Sequence, residues 1–298
     1  MRRRLLRPDF PLDLRLTLAH LPRGWQDPTT KLGPDGFWRA TRTPDGPATV
    51  RVRRADGGIE VLAWGAGAEA ALEAAPDLLG WSDDPDAFRP SHPLLRDLAR
   101  RLRGLRMGRT GAMFEALVPS ILEQKVAGKD AWRSYAAIVR AWGEPAPGPR
   151  GLLLPPPAER LAAMPYHAFH GFGIERRRAG AVVAAGRSAS RVEAAARLAP
   201  EEARRRLQAL PGIGAWTAAE VTRTAMGDPD AVSVGDYHVP HIVSFALAGE
   251  ARGDDARMLE LLEPCRGQRA RAVRLLEAGG IRAPRFGPRM PLRSIARM

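Results

Sequence analysis

One short segment with two glycines constrains this chain more than any other part of its sequence. Residues 210–218 read Leu-Pro-Gly-Ile-Gly-Ala-Trp-Thr-Ala, and stretches with helical spacing precede and follow them. Gly212 and Gly214 allow a sharp turn and a close approach to another molecule, because neither carries a side chain. The second helix points its free N–H groups back at the turn, so the turn can bind a phosphate. We predict a helical hairpin with an anion-binding turn; an ordinary hairpin with glycines in its turn is the alternative.

A single carboxylate follows this hairpin. Asp236 lies 22 residues after Gly214, within the sequence Ser-Val-Gly-Asp-Tyr-His-Val-Pro-His of residues 233–241. On its own, such an aspartate is typical of the residue that caps the start of a helix. Combined with an anion-binding turn, it can instead act chemically on the molecule whose phosphate the turn holds. Both interpretations stay open at this point.

The charge balance indicates a polyanionic partner. Lys and Arg together number 46 against 33 Asp and Glu, and the formal net charge is +13. Lysine occurs only at Lys31, Lys125 and Lys129, so nearly all the positive charge is arginine. The planar guanidinium suits forked contacts to phosphate. A genome rich in G and C also favours arginine, but it does not explain an excess of base over acid.

Cysteine usage excludes several kinds of site. The sequence holds one cysteine, Cys265. Disulfides within the chain, a cysteine-rich zinc site and a four-cysteine iron–sulfur cluster are therefore ruled out. The N-terminal run Met-Arg-Arg-Arg-Leu-Leu-Arg is not followed by a long apolar stretch. We expect no signal peptide and no membrane-spanning segment.

The first 90 residues form a mixed α/β pattern. Apolar and polar residues alternate over 12–18 and 48–53, which is typical of half-buried strands, and the apolar run 59–64 follows. Asp45-Gly46 and Asp56-Gly57 are turn signals. The alanine-rich stretch 68–75 favours a helix. We predict an antiparallel sheet with one or two helices.

The chain becomes helical from about residue 91. A basic helix is predicted at 94–105, an apolar helical pattern covers 114–126, and 145–157 form a Pro/Gly-rich connector. Arginines among prolines predict an irregular basic arm at 283–298. The predicted fold class is α+β. Further helices are predicted at 175–186, 192–198, 200–209, 215–226, 238–247 and 268–277.

The hairpin with its aspartate resembles a known superfamily. Leu-Pro-Gly-Ile-Gly, then Trp-Thr-Ala, then Asp-Tyr 22 residues after Gly214 resemble the helix-hairpin-helix (HhH-GPD) DNA glycosylases, in the AlkA-like DNA-3-methyladenine glycosylase branch. Ile-Leu-Glu-Gln-Lys-Val at 121–126, the segment 172–179 and Pro-Cys-Arg-Gly at 264–267 also resemble that branch.

The resemblance implies a division into domains. It implies an AlkA-N-like α/β domain over residues 1–90 and a helical glycosylase core over 91–282. Within that core, 91–112 and about 227–282 would form one helical subdomain, and 113–226 the other.

The resemblance also implies a catalytic role for Asp236. A damaged base must leave the stack before its glycosidic bond can be reached. A carboxylate then stabilises the oxocarbenium character of the sugar and can orient water. Bifunctional relatives carry a nucleophilic lysine in the hairpin helix, and Trp216 stands at that position here. The chain is therefore expected to be monofunctional and to require no cofactor.

Seven residues are expected to contact DNA. Thr217 can bond a phosphate or simply pack in its helix. Lys125 stands where the branch places an apolar wedge that fills the gap left by the flipped base, so it can act as a wedge or contact phosphate. Carbonyl groups of Gln208, Leu210 and Ile213 are the expected ligands of a monovalent cation. The DNA-contacting set is Gln124, Lys125, Leu210, Gly212, Ile213, Gly214 and Thr217.

The base pocket departs from the branch. Glu220 and Arg274 replace two aromatic residues that would hold a cationic alkylated base through cation–π contacts. Either the two residues pair with each other, or Glu220 accepts a hydrogen bond from a neutral purine. Trp216, Tyr237 and His238 are further candidates for the pocket. His238 or His241 can donate a proton to the leaving base, or serve as capping or packing residues.

These features together predict a monofunctional DNA glycosylase of base excision repair that hydrolyses the bond to a flipped, damaged, alkylated purine. Its expected partner is double-stranded DNA. We expect a monomer located in the bacterial cytoplasm, at the nucleoid, without membrane association. One alternative is a non-catalytic hairpin protein that binds nucleic acid. Another is a bifunctional glycosylase/lyase that uses a different amine, such as Lys125.

Overall fold

The computed structural model describes residues 1–284 and confirms the α+β class. Its N-terminal part is one five-stranded antiparallel sheet with the strand order β1-β5-β4-β3-β2. The turns predicted at Asp45-Gly46 and Asp56-Gly57 join β3 to β4 and β4 to β5. The strands are β1 Arg2–Leu6, β2 Thr30–Gly33, β3 Gly36–Thr43, β4 Gly46–Ala55 and β5 Gly58–Trp64.

The strand predicted over residues 12–18 is wrong. Helix α1, Leu14–Leu18, occupies this segment instead. Asp13 caps it, since its Oδ1 accepts the N–H of Leu16 at 2.9 Å. The Asp13 N–H in turn donates to the Gly104 carbonyl at 2.8 Å, which docks the helix on the helical part of the chain. Seven alternating residues are too few to separate a period of two from a helical period, and the Asp13 cap favours the helix.

One face of the sheet packs on two short helices, α2 (Ala68–Glu73) and α3 (Ala75–Leu78), and forms a continuous apolar cluster with them. On the other face, Trp38 and Ala40 pack against Leu152 and Leu154. The connector predicted at 145–157 contains a two-stranded ribbon, β6 (Glu144–Pro145) with β7 (Leu153–Leu154). The sheet is therefore covered on both sides.

The remaining chain is helical and has two separate apolar clusters. One is built from α5, α6, α8, α10 and α11, and the other from α4, α12, α13 and α14. Helix α11 contributes Val221 to the first cluster and Ala219 to the second. The helices are α4 Pro93–Arg101, α5 Met113–Leu122, α6 Gly128–Trp142, α7 Ala158–Ala163, α8 Arg176–Arg187, α9 Ala189–Ala194, α10 Pro200–Gln208, α11 Ala215–Met226, α12 Val239–Ala248, α13 Asp255–Leu262 and α14 Arg269–Ala278.

The ranges of residues that build these clusters support the predicted domain boundaries, which we keep as a proposal. The apolar cluster of the sheet draws on residues between 6 and 79, and that of α5–α11 on residues between 113 and 225. In the basic arm predicted at 283–298, residues 285–298 lie outside the described part of the chain.

A polar contact joins the sheet to the helical part. The Glu115 carboxylate, on α5, accepts hydrogen bonds from the Arg39 guanidinium at 2.7 Å, the Thr41 hydroxyl at 2.9 Å and the Arg42 N–H at 2.7 Å. The side chains of Arg39 and Glu115 are only 11% and 12% exposed. Removing either partner would leave the other charge nearly buried and unpaired.

We expect Glu115→Ala to lower the free energy of unfolding by about 2–4 kcal/mol, because it leaves Arg39 without its counter-charge and two further donors without an acceptor. Chemical denaturation at neutral pH measures this loss. Glu69→Ala is the matched control, since the Arg2–Glu69 pair is 68% and 60% exposed and should cost under about 1 kcal/mol. Equal losses in the two variants would contradict the assignment.

Candidate functional site

The predicted hairpin is present, with α10 and α11 joined by a tight turn. The Ile213 N–H donates to the Leu210 carbonyl at 3.1 Å. Gly212 has a φ of +81°, and a Cβ there would lie 2.9 Å from the Cβ of Ala181. This position requires glycine for both reasons. Gly214 is extended and faces open space, so its missing side chain leaves the start of α11 accessible.

Burial holds the hairpin in place. Leu210 and Ile213 are 7% and 6% exposed and belong to the apolar cluster of α5–α11. The N–H groups in the first turn of α11 have no intrahelical acceptor, and Gly214 and Ala215 are exposed. This arrangement can bind an anion on the backbone.

Gln124 attaches the turn to the end of α5. Its Nε2 donates to the Gly212 carbonyl and to the Thr217 hydroxyl, both at 2.9 Å. Thr217 is buried. These bonds favour the packing alternative for Thr217, and they give Gln124 a supporting role that its spacing in the sequence did not indicate.

Lys125 has an unusual backbone. Its φ is +55°, the single positive value for a non-glycine residue within residues 1–284. Such a conformation costs about 1 kcal/mol or more and is common at functional positions. The side chain is exposed, directly after Gln124. A solvent-facing ammonium there suits a phosphate contact better than a buried wedge.

Asp236 meets the hairpin through Trp216. Its Oδ1 accepts the N–H groups of His238 at 2.7 Å and Val239 at 2.9 Å, so the residue caps α12. Its Oδ2 accepts the indole N–H of Trp216 at 3.0 Å. The carboxylate is partly exposed, and Oδ2 has lone-pair capacity left for another molecule. Capping and chemistry are therefore compatible, and the bond from Trp216 was not foreseen.

The aromatic and histidine candidates lie near Asp236 at the surface. Tyr237 is 76% exposed, and His238 is exposed as well. The Tyr237 ring lies edge-on to His238, with 4.9 Å between ring centroids. His241 Nδ1 accepts the Gly253 N–H at 3.2 Å, which favours a structural role for this histidine.

Glu220 and Arg274 do not pair with each other, so that alternative is wrong. Glu220 is buried and accepts hydrogen bonds from Arg223 and from the Ser233 hydroxyl. Arg223 lies three residues later on the same face of α11, and this short separation decides the pairing. The spacing of three residues between Glu220 and Arg223 is visible in the sequence. Our sequence analysis nevertheless did not include Arg223 among the site residues.

Arg274 reaches the N-terminal domain instead. Its guanidinium donates to the Leu16 carbonyl at 3.0 Å and lies 3.4 Å from His20 Nδ1. Burial and the nearby charges of Arg274, Arg223 and Arg23 hold the pKa of His20 well below 6.5. The imidazole is therefore neutral at neutral pH and can accept a hydrogen bond from Arg274.

Glu220 belongs to a charged cluster between α1, α5, α11 and α14. Three arginines and three glutamates balance each other in charge. Burial alone would raise the pKa of Glu220, but the Arg223 guanidinium and the Ser233 hydroxyl outweigh it and hold the pKa below 4.5. The cluster consists of Arg23, Glu123, Glu220, Arg223, Arg274 and Glu277.

Known proteins share this architecture. No protein-family model matches the chain. Two Mycobacterium tuberculosis proteins named "Probable bifunctional transcriptional activator/DNA repair enzyme AlkA" are 32% identical over 164 residues, which cover 53% of this chain and 33% of each relative. The chain thus spans about a third of the length of these curated relatives.

Solved structures match over nearly the whole chain. The 3-methyladenine DNA-glycosylase of Archaeoglobus fulgidus superposes with a TM-score of 0.78 at 21% identity, covering 93% of this chain and 98% of that one. The 8-oxoguanine glycosylase/lyase of Clostridium acetobutylicum superposes with a TM-score of 0.70 at 14% identity, covering 93% and 96%.

The fold is therefore that of the helix-hairpin-helix DNA glycosylases. The chain is similar in sequence to AlkA over about half of its length and similar in fold to a 3-methyladenine glycosylase. The resemblance predicted from the hairpin and Asp236 is confirmed at this level.

Two further observations concern the described residues. No group of three or more His, Cys, Asp and Glu side chains within residues 1–284 is placed to hold a metal ion. No helix in that same part of the chain has the length and apolar character needed to cross a membrane.

We expect Glu220→Gln to lower the free energy of unfolding by about 3 kcal/mol at pH 7, because it leaves Arg223 buried without its counter-charge. The folded-state pKa of Glu220 lies below 4.5, so its stabilising effect is complete above that pH and is lost as the pH falls through the depressed value. The difference in free energy of unfolding between wild type and Glu220→Gln should therefore decrease as the pH falls. Denaturation curves from pH 7 to pH 3 measure this trend.

Glu277→Gln is the control, since its carboxylate lies 3.9 Å from Arg274 and is 34% exposed. This variant should change stability little at any pH. A Glu220→Gln deficit that stays constant from pH 7 to pH 3 would contradict the depressed pKa.

Proposed function

We propose that this protein is a monofunctional DNA glycosylase of base excision repair. One observation carries the proposal: the Asp236 carboxylate is bonded to Trp216 in the first turn of α11, next to a turn that can bind a phosphate. The names of the AlkA relatives and of the Archaeoglobus neighbour support the same activity. Double-stranded DNA with a damaged base is the proposed partner.

The proposed chemistry follows from this geometry. Gly212, Gly214 and the first turn of α11 hold a phosphate on backbone N–H groups, which fixes the strand relative to Asp236, while the Ile213 N–H bonds the Leu210 carbonyl and shapes the turn. The base leaves the stack, and its glycosidic bond comes to lie beside Asp236 Oδ2. As the bond breaks, the carboxylate stabilises the oxocarbenium sugar and orients the attacking water. Groups of this kind contribute on the order of 10²–10³ in rate.

Trp216 supports the monofunctional assignment. A lyase needs an amine that attacks the sugar to form a Schiff base. The indole at this position has no such amine, and its N–H is engaged by Asp236. Because the chain also superposes on a glycosylase/lyase, lyase activity needs a direct test. Lys125 is the amine to examine, because it follows Gln124, which bonds the hairpin turn.

Additional contacts complete the proposed DNA surface. Lys125 would contact phosphate beside the hairpin, while Gln124 and Thr217 would keep the turn in shape. Carbonyls of Gln208, Leu210 and Ile213 remain the proposed ligands of a monovalent cation. The Leu210 carbonyl already accepts the Ile213 N–H, so a cation there would share that oxygen.

The proposed substrate carries a neutral damaged base. The resemblance predicts, at the position of Glu220, an aromatic residue of a cage that would favour a cationic base. Here a network replaces it, in which Glu220 accepts hydrogen bonds from Arg223 and Ser233 and the charges balance. Such a network can exchange hydrogen bonds with polar edges of a neutral purine. His238, exposed beside Asp236, is the proposed proton donor to that leaving base.

We expect Asp236→Asn to reduce base release by at least about a hundredfold while changing DNA affinity little, because the amide keeps the shape of the carboxylate but not its charge. Base release from a panel of modified duplexes, analysed by mass, measures the first effect. Fluorescence anisotropy measures the second. Asp254→Asn is the matched control, because Asp254 caps α13 and asparagine caps equally well.

Full activity in Asp236→Asn would refute the catalytic assignment. If wild type binds damaged duplexes but releases no base from any of them, the protein is a non-catalytic hairpin protein. Borohydride added to the same reactions should trap no covalent adduct. A trapped adduct that disappears in Lys125→Ala would instead identify a lyase.

We expect faster release of neutral adenine adducts than of cationic N3- or N7-methylpurines. The reason is that Glu220 and Arg223 supply hydrogen bonds rather than aromatic faces. Single-turnover excision from matched duplexes that differ only in the modified base measures the ratio. Rapid and preferential release of methylpurines would contradict the neutral-base assignment and leave the glycosylase assignment intact.

A further inference from the structure

One aromatic side chain stands out on the surface of the N-terminal domain. Trp25 is 84% exposed, more than any other large apolar side chain within residues 1–284. An indole in water has no packing role, and tryptophans with this degree of exposure often belong to contact surfaces. Its function is not explained by the hairpin or by Asp236.

The loop that carries Trp25 is held from within by a buried carboxylate. Asp27 is 1% exposed. Its Oδ2 accepts the Arg23 N–H at 2.7 Å, and its Oδ1 accepts the N–H and the hydroxyl of Thr29, both at 2.8 Å. The Asp27 N–H donates to the Gly24 carbonyl at 3.4 Å. The backbone on both sides of Trp25 is therefore ordered by short-range bonds.

Two cations hold the loop from outside. Lys31 Nζ donates to the Trp25 carbonyl at 2.7 Å, and the Arg140 guanidinium donates to the Gln26 carbonyl at 3.1 Å. The main chain is therefore fixed at Trp25 and at the next residue, so the point from which the indole projects is fixed. A loop that is ordered before binding loses little backbone entropy on binding.

The same loop touches the turn that follows α5. Arg23 pairs with Glu123 at 3.0 Å, and the Trp132 indole N–H donates to Glu123 at 2.9 Å. Gly24 lies so close to the Trp132 ring that a Cβ there would be 2.8 Å from it. Glu123 immediately precedes Gln124, which bonds the hairpin, and Lys125. The loop that carries Trp25 is therefore joined, through Arg23 and Glu123, to the segment that contacts the hairpin.

The surroundings of Trp25 are basic. The acidic groups nearby are engaged: Glu123 with Arg23 and Trp132, and Asp130 with Arg133 at 3.4 Å. An exposed aromatic within a basic surface is typical of proteins that bind unstacked nucleic-acid bases, since the cations bind phosphate and the ring stacks on a base. Lys31 and Arg140 bond the loop itself, and the exposed Lys129 and Arg133 lie with Arg140 on α6.

We propose that Trp25 stacks on a base of the bound DNA that the flipped nucleotide leaves unstacked, so that the N-terminal domain contributes directly to recognition of the lesion. This proposal rests on the proposed DNA binding at the hairpin. It assigns Trp25 to the ring contact and Lys125 to the neighbouring phosphate.

The test uses the full-length protein and a duplex that holds a tetrahydrofuran abasic-site analogue, with 2-aminopurine opposite it or beside it. Trp25→Ala should weaken binding about tenfold, which corresponds to ~1.4 kcal/mol, and should abolish the quenching of 2-aminopurine. Trp25→Phe should keep most of the affinity. Leu5→Ala, which removes a half-exposed side chain from β1 of the same domain, should bind as wild type does.

Salt dependence separates the ring contact from the ionic contacts. Trp25→Ala should leave the slope of log affinity against log salt unchanged, whereas Lys125→Ala should reduce it by about one. Unchanged affinity and quenching in a folded Trp25→Ala protein would overturn the proposal. If wild type does not bind the duplex, the DNA-binding assignment itself fails; if it binds this duplex but releases no base from the separate panel of modified duplexes, only the catalytic assignment fails.

Discussion

The hydrogen bond from the Trp216 indole to Asp236 is the contact on which the site depends. Trp216 lies in the first turn of α11, and Asp236 accepts the N–H groups at the start of α12, so this bond joins the two helices beside the exposed hairpin turn. It links the carboxylate directly to the helix whose first N–H groups can hold a phosphate.

The charged network around Glu220 differs from the aromatic pocket that the resemblance to methylpurine glycosylases predicts. Arg223 and Ser233 neutralise and satisfy Glu220 inside the protein, while Arg274 turns away toward α1 and His20. Within this group the Glu220 carboxylate is buried, and a buried charge is stable only when it stays paired. Glu220 and Arg274, which stand where the resemblance predicts two pocket aromatics, therefore belong to one charged network, and this coupling motivates the proposal of a neutral substrate base.

Much of the local structure could be predicted from the sequence. Helix α11 spans residues 215–226 as predicted, and the two Asp-Gly turns join neighbouring strands. Glycine, proline and regular apolar spacing act within a few residues and leave local signals. We predicted no helix over residues 128–142, although Ala131, Tyr135 and Ile138 repeat at helical spacing in α6. Its start has no side-chain cap, and its glycine weakens the pattern.

The sequence by itself determined the hairpin, its essential glycine and the carboxylate that follows, because backbone sterics and helix capping depend on neighbours along the chain. Only the tertiary structure decided that Gln124 secures the turn, that Glu220 pairs with Arg223 rather than Arg274, and that Arg23 joins the loop of Trp25 to Glu123. Those contacts join distant segments or choose between competing partners. Their outcome depends on how the sheet and the two helical clusters pack, and no local pattern records that packing.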